Sequence, residues 1–322
     1  MTRAGRMIAR RVAALLAAPA LLLAACGDDT EILTMATGST GGTYFPLGGA
    51  IAGVWNDHIP DVRVSTQSSG ASDENLALLH DEEVELIMAV NGRAAVAREG
   101  TGAFEGEDHD ITFIGNVYQE VNQIVARADA GIETVEDLDG MRVALGPPGS
   151  GTEAFARDLL DRAGIEVEEF QDTFGEAADR LRDGSIDAAF AILALPAGSL
   201  EEVATAVDLN LVSLEGELLE QTLSDDPTLT EIEYEPGTYS NITEPATLVT
   251  NWATLYARSD LDEDLAYELT RVLYEESSEI AEAQATGNQI DIESAVLGRG
   301  DIPLHPGAER YYEENNALDG EG

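Results

Sequence analysis

Twice in this chain a short apolar run feeds a loop rich in glycine and hydroxyl residues, and each loop opens a helix-like segment. Residues 38–44 read Gly-Ser-Thr-Gly-Gly-Thr-Tyr and residues 146–152 read Gly-Pro-Pro-Gly-Ser-Gly-Thr. A loop of this kind leaves backbone N–H groups unpaired at the positive end of a helix dipole, and glycine lets a ligand approach that backbone closely. Two such ends, about a hundred residues apart, predict one per half of a two-lobed protein that closes on a small anionic or zwitterionic ligand.

The rest of the chain repeats strand, helix, strand, which argues for an α/β architecture. Residues 32–37, 62–67 and 84–90 read as strands, the last an apolar run interrupted only by Glu85, of the kind buried in a parallel sheet. Between them Leu47, Ile51, Val54 and Trp55 share one helical face after Pro46, and Leu76, Leu78 and Leu79 mark a second helix. In the second half 121–127, 142–145, 186–193 and 247–258 read as strands. Thr134 with Asp137 predicts a capping box on a short helix ending at Gly140; longer helices follow from Thr152 and over 262–276. No Pro/Ser-rich linker separates the halves, which fits a hinge crossed twice by the chain; the candidate crossings lie near 118–123 and 245–250.

The N-terminus predicts export. Arg3, Arg6, Arg10 and Arg11 precede the apolar run 12–25, which is shorter than the roughly 20 residues that span a bilayer and contains Pro19. It ends Leu23-Ala24-Ala25-Cys26-Gly27, an arrangement similar to a bacterial lipoprotein box, which implies cleavage before Cys26 and lipid attachment to its thiol. Cys26 is the single cysteine, so no disulfide forms within the chain. Taking the four leader arginines from 17 basic residues leaves 13, all Arg, against 62 Asp and Glu, a net charge of −49. Such a chain repels itself at low ionic strength, whereas at molar salt the Debye length falls to about 3 Å; the expectation is a salt-adapted extracytoplasmic protein that does not bind nucleic acid.

Residues 36–50, Ala-Thr-Gly-Ser-Thr-Gly-Gly-Thr-Tyr-Phe-Pro-Leu-Gly-Gly-Ala, resemble the opening signature of the TAXI solute-binding subunits of TRAP (tripartite ATP-independent periplasmic) transporters. Ser69-Gly70-Ala71-Ser72 with Glu74-Asn75-Leu76, the stretch 131–153, Asp183-Gly184-Ser185-Ile186-Asp187 and the closing 304–312 are similar to that family in the same order. The chain departs from the pattern at Val90-Asn91-Gly92, where a Gln-Ser-Asp-like turn is expected, and at Ala71 in the second loop. The resemblance implies a type II periplasmic-binding-protein fold of two α/β lobes with a ligand cleft and a double-crossover hinge. It also implies a non-enzymatic receptor that delivers a carboxylate or amino acid, glutamate-like or dicarboxylate, to a TRAP-type membrane permease. The expected layout is a signal peptide over 1–25, a lipidated tether over 26–31, a first lobe from 32–118 plus 250–322 and a second from 119–249.

The ligand-binding candidates are Thr40, Gly42, Thr43 and Tyr44 in the first loop, Ser69 and Ser72 before the second helix, and Ser150, Gly151 and Thr152 in the second loop. Ser150 or Thr152 would serve equally as a helix N-cap, Ser69 and Ser72 likewise, and Tyr44 as a packing residue. Asn91, Tyr118, Glu120 and Leu195-Pro196 are lip positions taken by analogy, Asn251 and Trp252 are hinge candidates, and Arg93 is a candidate source of positive potential. The loop at 146 lacks the lysine of a Walker A motif, so ATP is not implied, and the four histidines show no metal-ligand spacing. No cofactor or metal is expected, and a monomer is the default for a closing receptor. The competing readings are a ligand sensor for a membrane signalling protein and a secreted serine hydrolase using Ser150, whose Pro148-Gly149-Ser150-Gly151-Thr152 departs from Gly-x-Ser-x-Gly.

Overall fold

The computed structural model describes residues 30–107 and 109–318; the leader and Cys26 lie outside them. The strands are β1 (Glu31–Ala36), β2 (Val62–Gln67), β3 (Leu86–Val90), β4 (Ile111–Arg127), β5 (Arg142–Ala144), β6 (Glu168–Phe170), β7 (Ala188–Leu193), β8 (Leu209–Leu211), β9 (Thr230–Tyr234) and β10 (Ala246–Arg258). The helices are α1 (Tyr44–His58), α2 (Ser72–His80), α3 (Asn91–Glu99), α4 (Gly151–Ala163), α5 (Phe174–Asp183), α6 (Gly198–Ala204), α7 (Gly216–Asp225), α8 (Glu263–Glu275), α9 (Ser277–Ala283) and α10 (Pro306–Glu314).

All ten strands join one sheet in the order β2-β1-β3-β10-β4-β7-β5-β6, with β8 added to β4 and β9 to β10. The groups β1–β3 and β5–β7 are internally parallel, while β10 is antiparallel to β3 and β4, and β4 is antiparallel to β7. Hence β4 runs in the sense of β3, and the β5–β7 group runs head-on against the β1–β3 group. The C-terminal ends of both groups face each other across one seam.

That seam divides the apolar cores. One core draws on residues 33–118 and 253–312, joined by Ala194. Two others draw on residues 121–249. They lie on opposite faces of the sheet, since Ala189, Ala191 and Leu193 of β7 enter one and Ala188 and Phe190 the other, the alternation of a strand covered on both sides. Among the described residues β4 and β10 are the only strands with members in all three cores, and they cross the seam where Glu120 pairs with Asn251 and Gln119 with Trp252.

Several elements differ from their sequence reading. β4 begins ten residues before 121, because its polar members Asn116 and Glu120 are buried against tertiary partners and break the apolar pattern. The 84–90 run is strand only from Leu86. Val90-Asn91-Gly92 is not a free turn: β3 passes straight into α3, which starts at Asn91. Thr134 and Asp137 do form a reciprocal capping box, but on a single 3-10 turn at Val135–Leu138.

Candidate functional site

Helices that follow parallel strands begin at the strands' C-terminal edge, so α1, α2, α3, α4 and α5 all start along the seam, three from one side and two from the other. Asn75 ties the first side together. Its Nδ2 donates to Thr37 O at 2.6 Å and Met88 O at 2.7 Å, and its Oδ1 accepts from Ser69 Oγ at 2.6 Å, so one buried amide pins the ends of β1 and β3 and the loop before α2.

Where the helix starts converge they enclose a cavity of about 20 Å³, room for roughly one water. Its polar lining is Thr43, Tyr44, Ser72, Glu120, Ser150 and Thr152, against apolar walls of Val90, Phe174, Ile192 and Leu193. Glu120 is the sole carboxylate on this lining, and neither Arg nor Lys faces it. Tyr44 Oη donates to Glu120 Oε2 and Tyr118 Oη to Oε1, both at 2.7 Å, with the two rings edge to face at 6.3 Å. Burial pushes the Glu120 carboxyl up to about 7 although the two phenol donors pull the other way. Burial, followed by the Glu120 charge, raises both phenols well above their ordinary value, so they stay protonated donors.

The two sides touch directly around this cavity. Gly149 O accepts from the N–H groups of Asp73 at 3.1 Å and Glu74 at 3.0 Å, so a peptide carbonyl of the second loop occupies the first turn of α2. Ala194 N donates to Thr43 Oγ1 at 3.1 Å. A Cβ on Gly70 would run into Pro148 O, and one on Gly151 would lie 3.0 Å from Val90 Cγ2 and 3.2 Å from Ser72 Oγ. Only glycine admits the approach at Gly70, while at Gly151 a larger residue would have to push these side chains aside.

Of the sequence candidates, the structure brings Gly42, Thr43, Tyr44, Ser72, Ser150, Gly151 and Thr152 to the cavity wall. Ser150 also caps α4, accepting from Glu153 N at 3.0 Å, and Thr152 Oγ1 accepts from Ile192 N at 3.3 Å. Tyr118 stands behind the wall as a donor to Glu120. Thr40 lies in an outer groove with Gly175 and Arg182, and Pro196 is exposed. Ser69 is engaged with Asn75, and Asn91 donates to Gly298 O while accepting from Trp252 N, so both are committed to scaffold contacts. Arg93 does not supply free positive potential, since Asp73 holds it in a two-point ion pair at 2.7 and 2.8 Å.

Sequence reasoning placed Glu120 only at the lip and passed over Phe174 and Ile192. The available signal for Glu120 was an acid inside a run otherwise fit for a buried strand. The histidines are engaged away from Ser150: His58 with Glu276 and Glu279, His80 stacked on His109, and His305 capping α10. His58, Glu276 and Glu279 offer ligand atoms within 4.8 Å of one another, a grouping that sequence spacing does not reveal.

Among the described residues no helix is long and apolar enough to cross a membrane. The chain is similar in structure to PhnD1 from Prochlorococcus marinus in complex with methylphosphonate, at 13% identity over 89% of this chain and 99% of that one, with a TM-score of 0.51. It is similar as well to a structure from work on glutathione import via GshT and the cystine ABC importer TcyBC of Streptococcus mutans, at 11% identity over 81% and 95%, with a TM-score of 0.52. The periplasmic aliphatic sulphonate binding protein SsuA from Escherichia coli aligns at 16% identity over 88% and 83%, with a TM-score of 0.48. At these identities the likeness is one of fold, the α/β fold of periplasmic binding proteins. The profile of the NMT1-like family matches residues 35–315, and the chain belongs to that family.

Proposed function

We propose that the protein is an extracytoplasmic solute receptor that captures a small amino acid by closing two lobes and passes it to a membrane permease. The observation that carries this reading is Glu120, a buried carboxylate at the seam, in a cavity lined by the starts of α1, α2, α4 and α5 and, among the described residues, by no cationic side chain. The cavity in this structure holds about one water and Gly149 O sits at the start of α2, so the ligand enters with the lobes further apart; the helix ends and hydroxyls then exposed suit its carboxylate, and Glu120 suits its ammonium. A zwitterion satisfies both, whereas a dicarboxylate would set a second negative charge against Glu120. The lobes in this reading are 32–118 plus 250–322 and 119–249. Lipid attachment at Cys26 and a TRAP-type permease rest on the resemblance to TAXI subunits. The excess of 62 acidic over 17 basic residues supports salt adaptation, which a melting temperature independent of salt between 0.1 and 2 M would disprove.

The test is a thermal-shift and calorimetric comparison of amino acids with their deaminated carboxylates. A ligand at 100 times its Kd stabilises by about 2.7 kcal/mol, a rise of several degrees. Amino acids should bind at least tenfold more tightly than the matched carboxylates, and Glu120→Gln should erase that preference. The pH dependence has a definite sign: Glu120 titrates near 7 when unliganded, and an ammonium beside it lowers that value. Binding then releases a proton, and affinity falls as the pH drops below 7. An affinity that rises on acidification would identify a simple anion as the cargo instead.

A further inference from the structure

Beside the Glu120 cavity, and sharing Val90, Gly151 and Ile192 with it, lies a much larger one of about 230 Å³. It too is built by both sides of the seam: α3 forms one wall, α4 and the end of α7 with the following loop form the other, and β4 and β10 form the floor through Asn122 and Asn251. Those two side chains are 1% and 5% exposed, and among the described residues the Oδ1 atom of each has no hydrogen-bond partner. Asn122 is fixed in that orientation because its Nδ2 donates to Val249 O at 3.2 Å. Two acceptors left unpaired on a buried floor are costly unless a donor meets them.

The charge around them selects the donor. Glu99, Asp158, Asp225 and Asp226 line the cavity against Arg93 and Arg162. Both arginines are already paired, Arg93 with Asp73 and Arg162 with Asp225 at 2.9 Å. An anion is therefore disfavoured and a cation favoured. The walls are apolar through Val96, Phe155, Pro227 and Leu229, which suits an organic tail better than a bare metal ion that needs a full oxygen cage.

We propose that this cavity is a second ligand site, for a small organic cation whose ammonium head donates to Asn122 Oδ1 and Asn251 Oδ1 while its tail lies on Phe155 and Leu229. An occupant would touch both lobes and favour the closed form. The site is independent of the amino-acid reading for the Glu120 cavity, and a probe without a carboxylate separates the two.

The experiment titrates the purified protein with n-butylammonium chloride and, in parallel, with neutral 1-butanol at fixed ionic strength, reading calorimetric heat and NMR shifts at Phe155 and Leu229. Saturable binding of the ammonium, with 1-butanol at least tenfold weaker, is expected. Asn122→Leu and Asn251→Leu should each weaken the ammonium about tenfold, the scale of a hydrogen bond to a charged group. Asn122→Asp should strengthen it, a gain that misfolding does not mimic. Equal binding of the alcohol, affinity unchanged in all three variants, or saturation without shifts at Phe155 and Leu229 would overturn the proposal, as would the absence of any saturable binding.

Discussion

The loops at 38–44 and 146–152 look interchangeable in sequence, yet they do opposite work. The first sends its side chains across the seam: Thr43 gives α1 no side-chain cap, its Oγ1 accepts from Ala194 N just past β7, and Tyr44 reaches Glu120. The second turns its hydroxyl inward, with Ser150 capping α4, and sends out a peptide carbonyl, Gly149 O, to the start of α2. Both loops line the cavity, but the first bridges the seam with side chains and the second with a peptide carbonyl. A glycine- and hydroxyl-rich turn before a helix specifies the helix start but not which of these two jobs the loop performs.

The largest test of that contrast is Gly151→Val at the docking point. Its Cβ would press on Val90, Ser72 and, at 3.3 Å, Arg93 Cγ, so closure should fail and amino-acid affinity drop by roughly a hundredfold with the fold retained. Calorimetry giving an affinity within threefold of the parent would refute a docking role.

Of similar size is Glu120→Gln at the partner of Tyr44. The carboxyl rises from an ordinary 4.5 to about 7 on folding, so between those values the folded state holds more protons than the unfolded one. Stability from this group is complete below pH 4.5 and is lost as the pH rises through 7, about 3 kcal/mol in all. Urea melts between pH 4.5 and 8 should show this fall in the parent and not in the variant. An identical profile in the two would remove Glu120 from the account.

The smallest pair sharpens the comparison most directly. Thr43→Val strips the acceptor for Ala194 N only in the closed form, so ligand affinity should fall about tenfold with stability little changed. Ser150→Ala removes a cap, so stability should fall by about 1 kcal/mol, with affinity falling less than in Thr43→Val. The reverse pattern would exchange the roles of the two loops.

These roles mark where the sequence stops being legible. Apolar periodicity located β2 over Val62–Gln67, and α8 over Glu263–Glu275 with Asp262 capping it through Leu265 N, because both elements bury a regular face of their own. It did not locate the first half of β4, where Asn116 donates to Ser294 O and Leu297 O and accepts from Thr254 Oγ1. Those partners are over a hundred residues away, so only the folded chain makes a buried Asn affordable there. The site divides in the same way. The glycine loops are local features and were found, whereas Glu120 matters because Tyr44, 76 residues distant, meets it, and the floor of the second cavity exists only once Asn122 and Asn251 lie on neighbouring strands.

The position of β10 also dictates an order of assembly. It sits between β3 and β4, two strands that are neighbours in the chain but do not pair with each other. The sheet beside β1–β3 therefore keeps a gap until the chain is complete to residue 258, the end of β10. The two cores beyond the seam need nothing past the first half of that strand, since they are complete by Val249. During vectorial release of the chain, N-terminus first, the middle of the sequence is thus ready to fold before its beginning. The earliest residues to emerge carry an unfinished β1–β3 edge that must be kept from pairing elsewhere until the last quarter arrives.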